Sequence, residues 1–302
     1  MVMEFSQLRI FQAVAEEGSI TRAAERLHRV PSNLSTRLKQ LEEQLGVELF
    51  LRERQRLQLS PAGKVLFDYS SRLFALHDEA HAAVRGGQPA GDFVLGTMYS
   101  TAAIYLPSML ARYHRTYPEV NLQVQAAPSG ELLEGLVSGR LDAALVDGPL
   151  QLAGLDGISF CDETLVLICP ADHPPVRSAL DVQGQPVFTF RRGCAYRLRL
   201  EAWYGHYHAS MGRAIEIESY PGMLACVTAG SGVAMMSESM LASLPGRESV
   251  SVHPLVEPFA SASTWLMWRK GMVGANLAAW IELQKTTVLP LTNSAEGVRA
   301  SA

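Results

Sequence analysis

Residues 19–45 read SITRAAERLHRVPSNLSTRLKQLEEQL. The stretch holds two short amphipathic segments. Ser19 is placed to cap a helix whose buried side is Ala23, Ala24 and Leu27. His28, Arg29 and Val30 form a three-residue turn. A second helix starts near Pro31 or Ser32, because proline suits a first helical turn. Its apolar residues Leu34, Leu38, Leu41 and Leu45 recur at spacings of four, three and four, and Gly46 stops it. Helix, tight turn, helix, with small alanines where the two must approach, predicts a helix-turn-helix.

The flanks fit that reading. Upstream, Ser6 is a candidate cap, with Phe5 and Ile10 as a hydrophobic staple. Leu8, Phe11, Val14 and Ala15 form the apolar face of this helix, and Gly18 ends it. The start of the helix after the turn carries Ser32, Ser35, Thr36, Arg37 and Lys39. Short polar and basic side chains there suit base edges and phosphates. Downstream, Arg52, Arg54 and Arg56 alternate, which predicts a short basic β-wing with all three on one side of a strand. These eight residues are the DNA-binding candidates.

Ser60-Pro61 then opens a long helix. Ala62, Leu66, Tyr69, Leu73, Leu76, Ala80 and Ala83 follow at alternating spacings of four and three. Such a heptad seam needs a partner helix to cover it, so a homodimer is expected. His77 and His81 flank the seam one turn apart, as solvated positions. Glycines 86 and 87 end the helix and begin a hinge.

Beyond Asp92 the texture becomes α/β. Strand patterns at 93–97, 121–126, 142–146, 165–169, 187–190, 215–219, 232–237 and 263–268 alternate with helical ones, which predicts parallel sheets with crossover helices. Whole-chain charge is −4, from 26 Lys+Arg against 30 Asp+Glu. Taken alone, that argues against a nucleic-acid partner. But residues 1–60 hold nine basic and eight acidic residues, so the deficit belongs to the later part. Four cysteines without a C-x-x-C pair predict no disulfide framework, and no Cys/His spacing fits a zinc site. No signal peptide and no apolar run long enough for a bilayer is read, so a cytoplasmic protein without a membrane partner is expected. G-x-S-x-G, P-loop and G-x-G-x-x-G signatures are missing, so neither an enzyme nor a cofactor is expected.

At this point the residues resemble a known family. Phe11-Gln-Ala-Val-Ala-Glu-Glu-Gly-Ser-Ile-Thr-Arg-Ala-Ala-Glu-Arg-Leu27, then Leu34-Ser35, Leu41-Glu42, Leu45-Gly46, Leu49-Phe50, Arg52 and Leu59-Ser-Pro-Ala-Gly63 are similar to LysR-type transcriptional regulators. Leu106-Pro107, Tyr117-Pro118, Gly139-Arg-Leu-Asp142 and Ala229-Gly-Ser-Gly-Val233 resemble the same family more weakly. The recognition helix departs from the family pattern. Pro31-Ser32-Asn33 replaces the common Gln-Pro-Ala, and Thr36 stands where Arg is common. Thr36 lacks the bidentate reach of arginine to guanine.

The resemblance implies an α/β architecture in three parts. These are a winged helix-turn-helix at 1–59, a linker helix and hinge at 60–90, and a periplasmic-binding-protein-like domain at 91–302. The last would have one lobe at about 91–161 plus 264–291 and another at 162–263. It also implies promoter DNA as partner, a small-molecule effector and a homotetramer. The effector would sit between the lobes, against Tyr99, Ser100, Thr101, Ser129, Phe190, Arg191, Cys194, Arg197, Gly222 and Met223. Helix starts and arginines there predict an anionic, partly aromatic metabolite. Two alternatives remain open at this stage. One is a redox sensor, if neighbouring arginines depress the Cys194 thiol. The other is a small-molecule-binding protein or enzyme whose N-terminal part only dimerises.

Overall fold

The computed structural model describes residues 3–53, 56–84, 87–149 and 152–286. The chain divides into two compact units, 1–87 and 88–302.

The first unit contains α1 (Phe5–Glu17), α2 (Ile20–Arg26), α3 (Pro31–Leu45), β1 (Phe50–Glu53), β2 (Arg56–Leu59) and α4 (Pro61–Val84). Its core joins Phe11 and Val14 of α1, Ala23 and Ala24 of α2, Leu34 and Leu41 of α3, and Phe67 of α4. Ala23 and Ala24 are fully buried, so these small side chains set the closeness of the helices. Ser19 caps α2 by accepting from the Arg22 amide, and left-handed Gly46 ends α3. α1 starts two residues earlier than the sequence predicts. Glu4, not Ser6, is the cap, because its carboxylate takes the Gln7 amide while the Gln7 side chain takes the Glu4 amide. The wing differs too. β1 and β2 form an antiparallel hairpin in which Arg52 pairs with Leu57 and Arg56 with Glu53. The three arginines therefore do not share one strand, and Arg54 lies outside the described residues.

Ser60 opens α4. Its hydroxyl accepts from the Gly63 amide and donates to the Glu48 carbonyl. Gly63 is required there because a Cβ would collide with the Leu49 carbonyl oxygen. Gln12 on α1 donates to Ser71 on α4, and Phe5 packs edge-on against Phe74. Tyr69, Leu73 and Leu76 of the seam remain exposed on this single chain.

The second unit runs β3 (Gly91–Thr97), α5 (Tyr99–Ile104), α6 (Leu106–Thr116), β4 (Val120–Ala126), α7 (Ser129–Val137), β5 (Ala143–Gly148) and β6 (Leu155–Pro170). It continues through β7 (Val187–Thr189), α8 (Ala195–His206), β8 (Ala214–Glu216), α9 (Tyr220–Thr228), β9 (Val233–Ser237) and α10 (Glu238–Ser243). It ends with β10 (Val250–Pro254), β11 (Ser261–Arg269) and α11 (Ala275–Thr286). The strand order is β4-β3-β5-β11-β6-β9-β7-β8, with β10 also on β6.

β6 is 16 residues long and belongs to two lobes. Up to Thr164 it pairs with β11, in a first lobe with β3, β4 and β5. From Leu165 it pairs with β9 and β10, in a second lobe with β7 and β8. The β3-β4, β3-β5, β7-β8 and β7-β9 pairs are parallel, as the alternating pattern predicts. β11 and β10 are antiparallel to β6, so the sheets are mixed rather than parallel. The first half of β6 escapes the sequence reading because Asp156, Gly157, Ser159 and Asp162 give it the composition of a loop. The first lobe's core gathers Phe93, Tyr113, Leu145, Leu266 and Trp280, and the second lobe's gathers Leu167, Leu200, Trp203 and Val233. Among the described residues no helix is long and apolar enough to cross a membrane.

Candidate functional site

Two surfaces carry the predicted residues, one in each unit. In the first, Ser32, Ser35, Thr36, Arg37 and Lys39 are exposed on α3. The Ser35 hydroxyl donates to the Pro31 carbonyl (3.1 Å) and that of Thr36 to the Ser32 carbonyl (3.0 Å). The hydroxyl protons are thus held by the helix, and the oxygen lone pairs face outward as acceptors. Arg37 lies 3.9 Å from Glu4, and Lys39 3.7 Å from Glu43. Exposed pairs of this kind are worth about 0–1 kcal/mol, so a phosphate can displace the carboxylate at little cost. Val30 at the N-cap makes no side-chain cap bond. The first-turn amides of α3 are therefore not held by a cap side chain. Arg52 and Arg56 belong to the wing strands.

In the second unit a cleft opens between the lobes. Its interior free volume is only about 20 Å³, room for about one water, and the wider space of about 380 Å³ counts open solvent at the mouth. Four helix starts border it: Tyr99 and Ser100 on α5, Pro128 and Ser129 on α7, Cys194 and Tyr196 on α8, and Tyr220 on α9. Tyr99 stacks on Phe190 across the lobes, with ring centroids 5.6 Å apart and planes at 16°. Phe190 in turn meets Tyr220 at 4.8 Å. Neither α7 nor α8 has a side-chain cap bond, which leaves the first-turn amides of α7 to the cleft, while those of Tyr196 and Arg197 on α8 face the Cys194 sulfur. The Ser129 hydroxyl accepts from the Asp147 amide at 3.2 Å instead of capping its own helix.

Ion pairs tie the lobes together at the cleft. Arg199 on α8 grips both carboxylate oxygens of Asp147 at the end of β5, at 2.8 and 3.1 Å. Arg191 lies 3.0 Å from Glu131 of the first lobe and 3.1 Å from Glu218 of the second. Arg191 is thus in the cleft as predicted, but two carboxylates already offset its charge.

Behind the cleft, Glu163 on β6 is buried. It accepts from the hydroxyls of Tyr105 (3.3 Å), Tyr196 (2.7 Å) and Ser239 (2.7 Å). Burial, then the Glu163 charge, pushes both tyrosine pKa values up, so both phenols remain proton donors.

The cleft brings together Tyr99, Ser100, Ser129, Phe190, Arg191 and Cys194 of the sequence-predicted set. Four others stand elsewhere. Thr101 is fully buried on the inner side of α5 and Met223 is in the second lobe's core. The Gly222 amide serves the Ser219 cap. Arg197 is buried, with bonds to Glu201 (2.8 Å), Glu216 (2.6 Å) and the Phe190 carbonyl (3.1 Å). It braces the strand beneath Phe190 and presents no free charge. Burial pushes the Cys194 thiol up, and this outweighs the downward pull of the Tyr196 and Arg197 amides and the Arg197 charge. The arginine-activated thiolate expected of a redox sensor is therefore not what these residues build. Sequence reading missed Glu163, whose neighbours Asp162 and Thr164 read as a polar turn, and the Arg199–Asp147 pair, whose members are 52 positions apart.

The chain matches two family models. Residues 5–64 match the bacterial regulatory helix-turn-helix protein of the lysR family, and residues 86–287 the LysR substrate binding domain. It is 32% identical over 269 residues to the HTH-type transcriptional regulator GltR of Bacillus subtilis, covering 89% of this chain and 91% of that one. It is 33% identical over 258 residues to the HTH-type transcriptional regulator YofA of Bacillus velezensis, covering 85% and 88%. Its fold is similar to a full-length OxyR variant from Pseudomonas aeruginosa, with a TM-score of 0.77, 22% identity, and 96% and 97% of the chains covered. It is also similar to CbnR, a LysR family regulator solved with its target DNA, at a TM-score of 0.61, 22% identity, and 94% and 99% coverage. With both family models matched in order along most of its length, this chain belongs to the LysR family of transcriptional regulators.

Proposed function

We propose that this LysR-type regulator reads promoter DNA with α3 and the β1–β2 wing, and senses a small anion bearing a flat apolar body. In the first unit, Ser32, Ser35 and Thr36 meet base edges, while Arg37, Lys39, Arg52, Arg54 and Arg56 meet phosphates. A dimer pairs two such units through α4 on a palindromic site, and two dimers form a tetramer. A promoter-DNA partner favours a cytoplasmic location, and no catalytic step is assigned to the chain.

One observation carries the effector reading. The uncapped starts of α7 and α8 and the start of α9 converge on a single cleft walled by Tyr99, Phe190 and Tyr220. Helix starts carry partial positive charge and free amides, which favour a carboxylate or phosphate. The stacked rings favour a planar body beside it. A ligand there binds one degree of lobe closure better than another, and so shifts the population of regulator states.

A thermal-shift panel of aromatic and aliphatic carboxylates and phosphates tests this, because a ligand specific for the folded state raises its transition. The reading expects aromatic carboxylates to lead. Neutral ligands alone raising the transition would overturn it.

A further inference from the structure

In the second lobe, away from the cleft, three donors suited to a borderline-soft cation meet. Cys169 stands near the end of β6, His253 on β10, and His173 in the segment after β6. Register explains the first two. Cys169 faces Ser251 and Leu167 faces His253, so Cys169 and His253 are diagonal neighbours on one face of an antiparallel pair. The Cys169 sulfur and one nitrogen of each ring lie within 4.8 Å of one another. Tetrahedral zinc, with bonds of about 2.0–2.3 Å, sets its donors about 3.5 Å apart. The remaining contraction falls to the segment bearing His173, where Ala171, Asp172, Pro174 and Pro175 are exposed.

The hydrogen bonds already select a tautomer for each ring. His173 Nδ1 lies 2.7 Å from the Pro174 carbonyl, which only accepts, so Nδ1 carries the proton and Nε2 is bare. The Gln185 amide lies 2.9 Å from that Nε2. His253 Nδ1 accepts from the Val176 amide at 3.2 Å and is bare, while its Nε2 proton faces the Ser251 hydroxyl at 3.0 Å. Ser251 in turn donates to the Pro170 carbonyl at 2.8 Å. Each imidazole thus has one nitrogen anchored on oxygen and one carrying a lone pair, the arrangement found in metal-binding histidines. For the metal to bind, the Gln185 side-chain NH2, which donates to His173 Nε2, must turn away, and the Val176 amide must leave His253 Nδ1; Val176 lies on the same segment as His173.

We propose that Cys169, His173 and His253 bind a divalent transition-metal ion of the zinc class. Water or the Gln185 amide oxygen completes the tetrahedron. One sulfur and two imidazoles suit zinc and suit magnesium or calcium poorly. On binding, the Cys169 thiol gives its proton to solvent and a metal–thiolate bond replaces the S–H bond. The bound ion clamps the 171–176 segment onto the β6–β10 pair. The sequence carries part of the signal as the local spacing Cys169-x-x-x-His173.

The test is a cobalt(II) titration of the full-length, untagged, reduced protein after treatment with a chelator. One equivalent is expected to bind, with the visible bands of tetrahedral cobalt and a near-ultraviolet thiolate-to-cobalt band, and zinc should bleach both. Cys169→Ser should abolish the thiolate band, while Cys226→Ser, at a half-buried position on α9, should keep it. Ser251→Ala, which removes the anchor of His253, should weaken cobalt binding by about tenfold. Absence of the thiolate band in the unmutated protein, or its survival in Cys169→Ser, would overturn the site. If Cys169→Ser does not fold, His173→Ala decides at its half-exposed position, and unchanged cobalt affinity there overturns the proposal.

Discussion

The Tyr196 hydroxyl donates to Glu163 Oε2 at 2.7 Å, and both groups are buried. Tyr196 is also part of the cleft wall, and Glu163 sits on the strand that runs through both lobes. The first lobe's Tyr105 donates to the same carboxylate. The cleft wall and the interlobe strand are therefore held by one buried acceptor. Tyr196→Phe removes a donor without changing shape, and should cost about 1–3 kcal/mol, the range for a buried polar group losing a partner. Chemical denaturation of the full chain measures it. A change within error would mean that water or another hydroxyl replaces the lost donor.

A second prediction concerns the Arg199–Asp147 pair. A single nitrogen, Arg199 Nη2, reaches both Asp147 oxygens and joins the lobes, and each side chain is 24% exposed. Screening at that exposure limits the coupling to about 1 kcal/mol. A double-mutant cycle with Arg199→Leu and Asp147→Asn should show non-additivity of that size in stability. Both single variants should also change effector affinity, because a latch across the cleft biases its closure. Additive effects on stability would remove the latch from the account.

The Cys194 thiol gives a pH prediction. Its pKa is raised from the ordinary value of 9.0, chiefly by burial. Only the thiolate alkylates readily, so a raised pKa leaves less reactive species at neutral pH. The alkylation rate at Cys194 should climb through pH 8 and inflect above 9.0. Mass spectrometry of iodoacetamide-labelled protein at stepped pH measures this. An inflection near neutrality would restore the redox reading.

Legibility from sequence followed locality. The α2–turn–α3 pattern was plain because its caps and its apolar spacing are short-range signals that agree. Tyr99, Ser129, Phe190 and Cys194 are legible as cleft-lining positions because they follow strands or stand at helix starts, which the alternation of elements reveals. Arg197 was misplaced because a helix start gives no sign of which way a side chain leaves it. Its bonds reach Glu201 on the same helix and Glu216 on β8. Glu163 and the Cys169–His253 neighbours depend on strand register and lobe packing, which distant positions decide together. The wing is legible as basic but its hairpin geometry is not, because alternation within residues 50–59 fits one strand or two short ones equally well.

Tyr69, Leu73 and Leu76 are exposed along α4 at spacings of four and three. A row of apolar side chains at such spacing matches a seam that a partner helix buries. Leu73→Asp with Leu76→Asp should convert the oligomer to a smaller species, seen as a fall in mass by light scattering. DNA affinity should fall with it, because a palindromic site is gripped by two recognition helices. An unchanged mass would exclude the α4 seam as the dimer contact.

The recognition helix yields the last prediction, which separates positioning from reading. Lys39 pairs with exposed Glu43 among the described residues, so its ammonium is available to a phosphate. Lys39→Ala should weaken every DNA sequence alike, and lower the slope of log K against log salt by about one per site contacted. Thr36 differs, since its hydroxyl proton is held by the Ser32 carbonyl and its methyl and lone pairs face outward. Thr36→Ala should leave the salt slope unchanged, and shift preference at one base pair of each half-site by about 1–3 kcal/mol. Fluorescence anisotropy with upstream intergenic DNA and single-base variants, across a salt series, measures both quantities. A Thr36→Ala protein with altered salt slope and unaltered base preference would place Thr36 on the backbone. The bases would then be read by Ser32 and Ser35 alone.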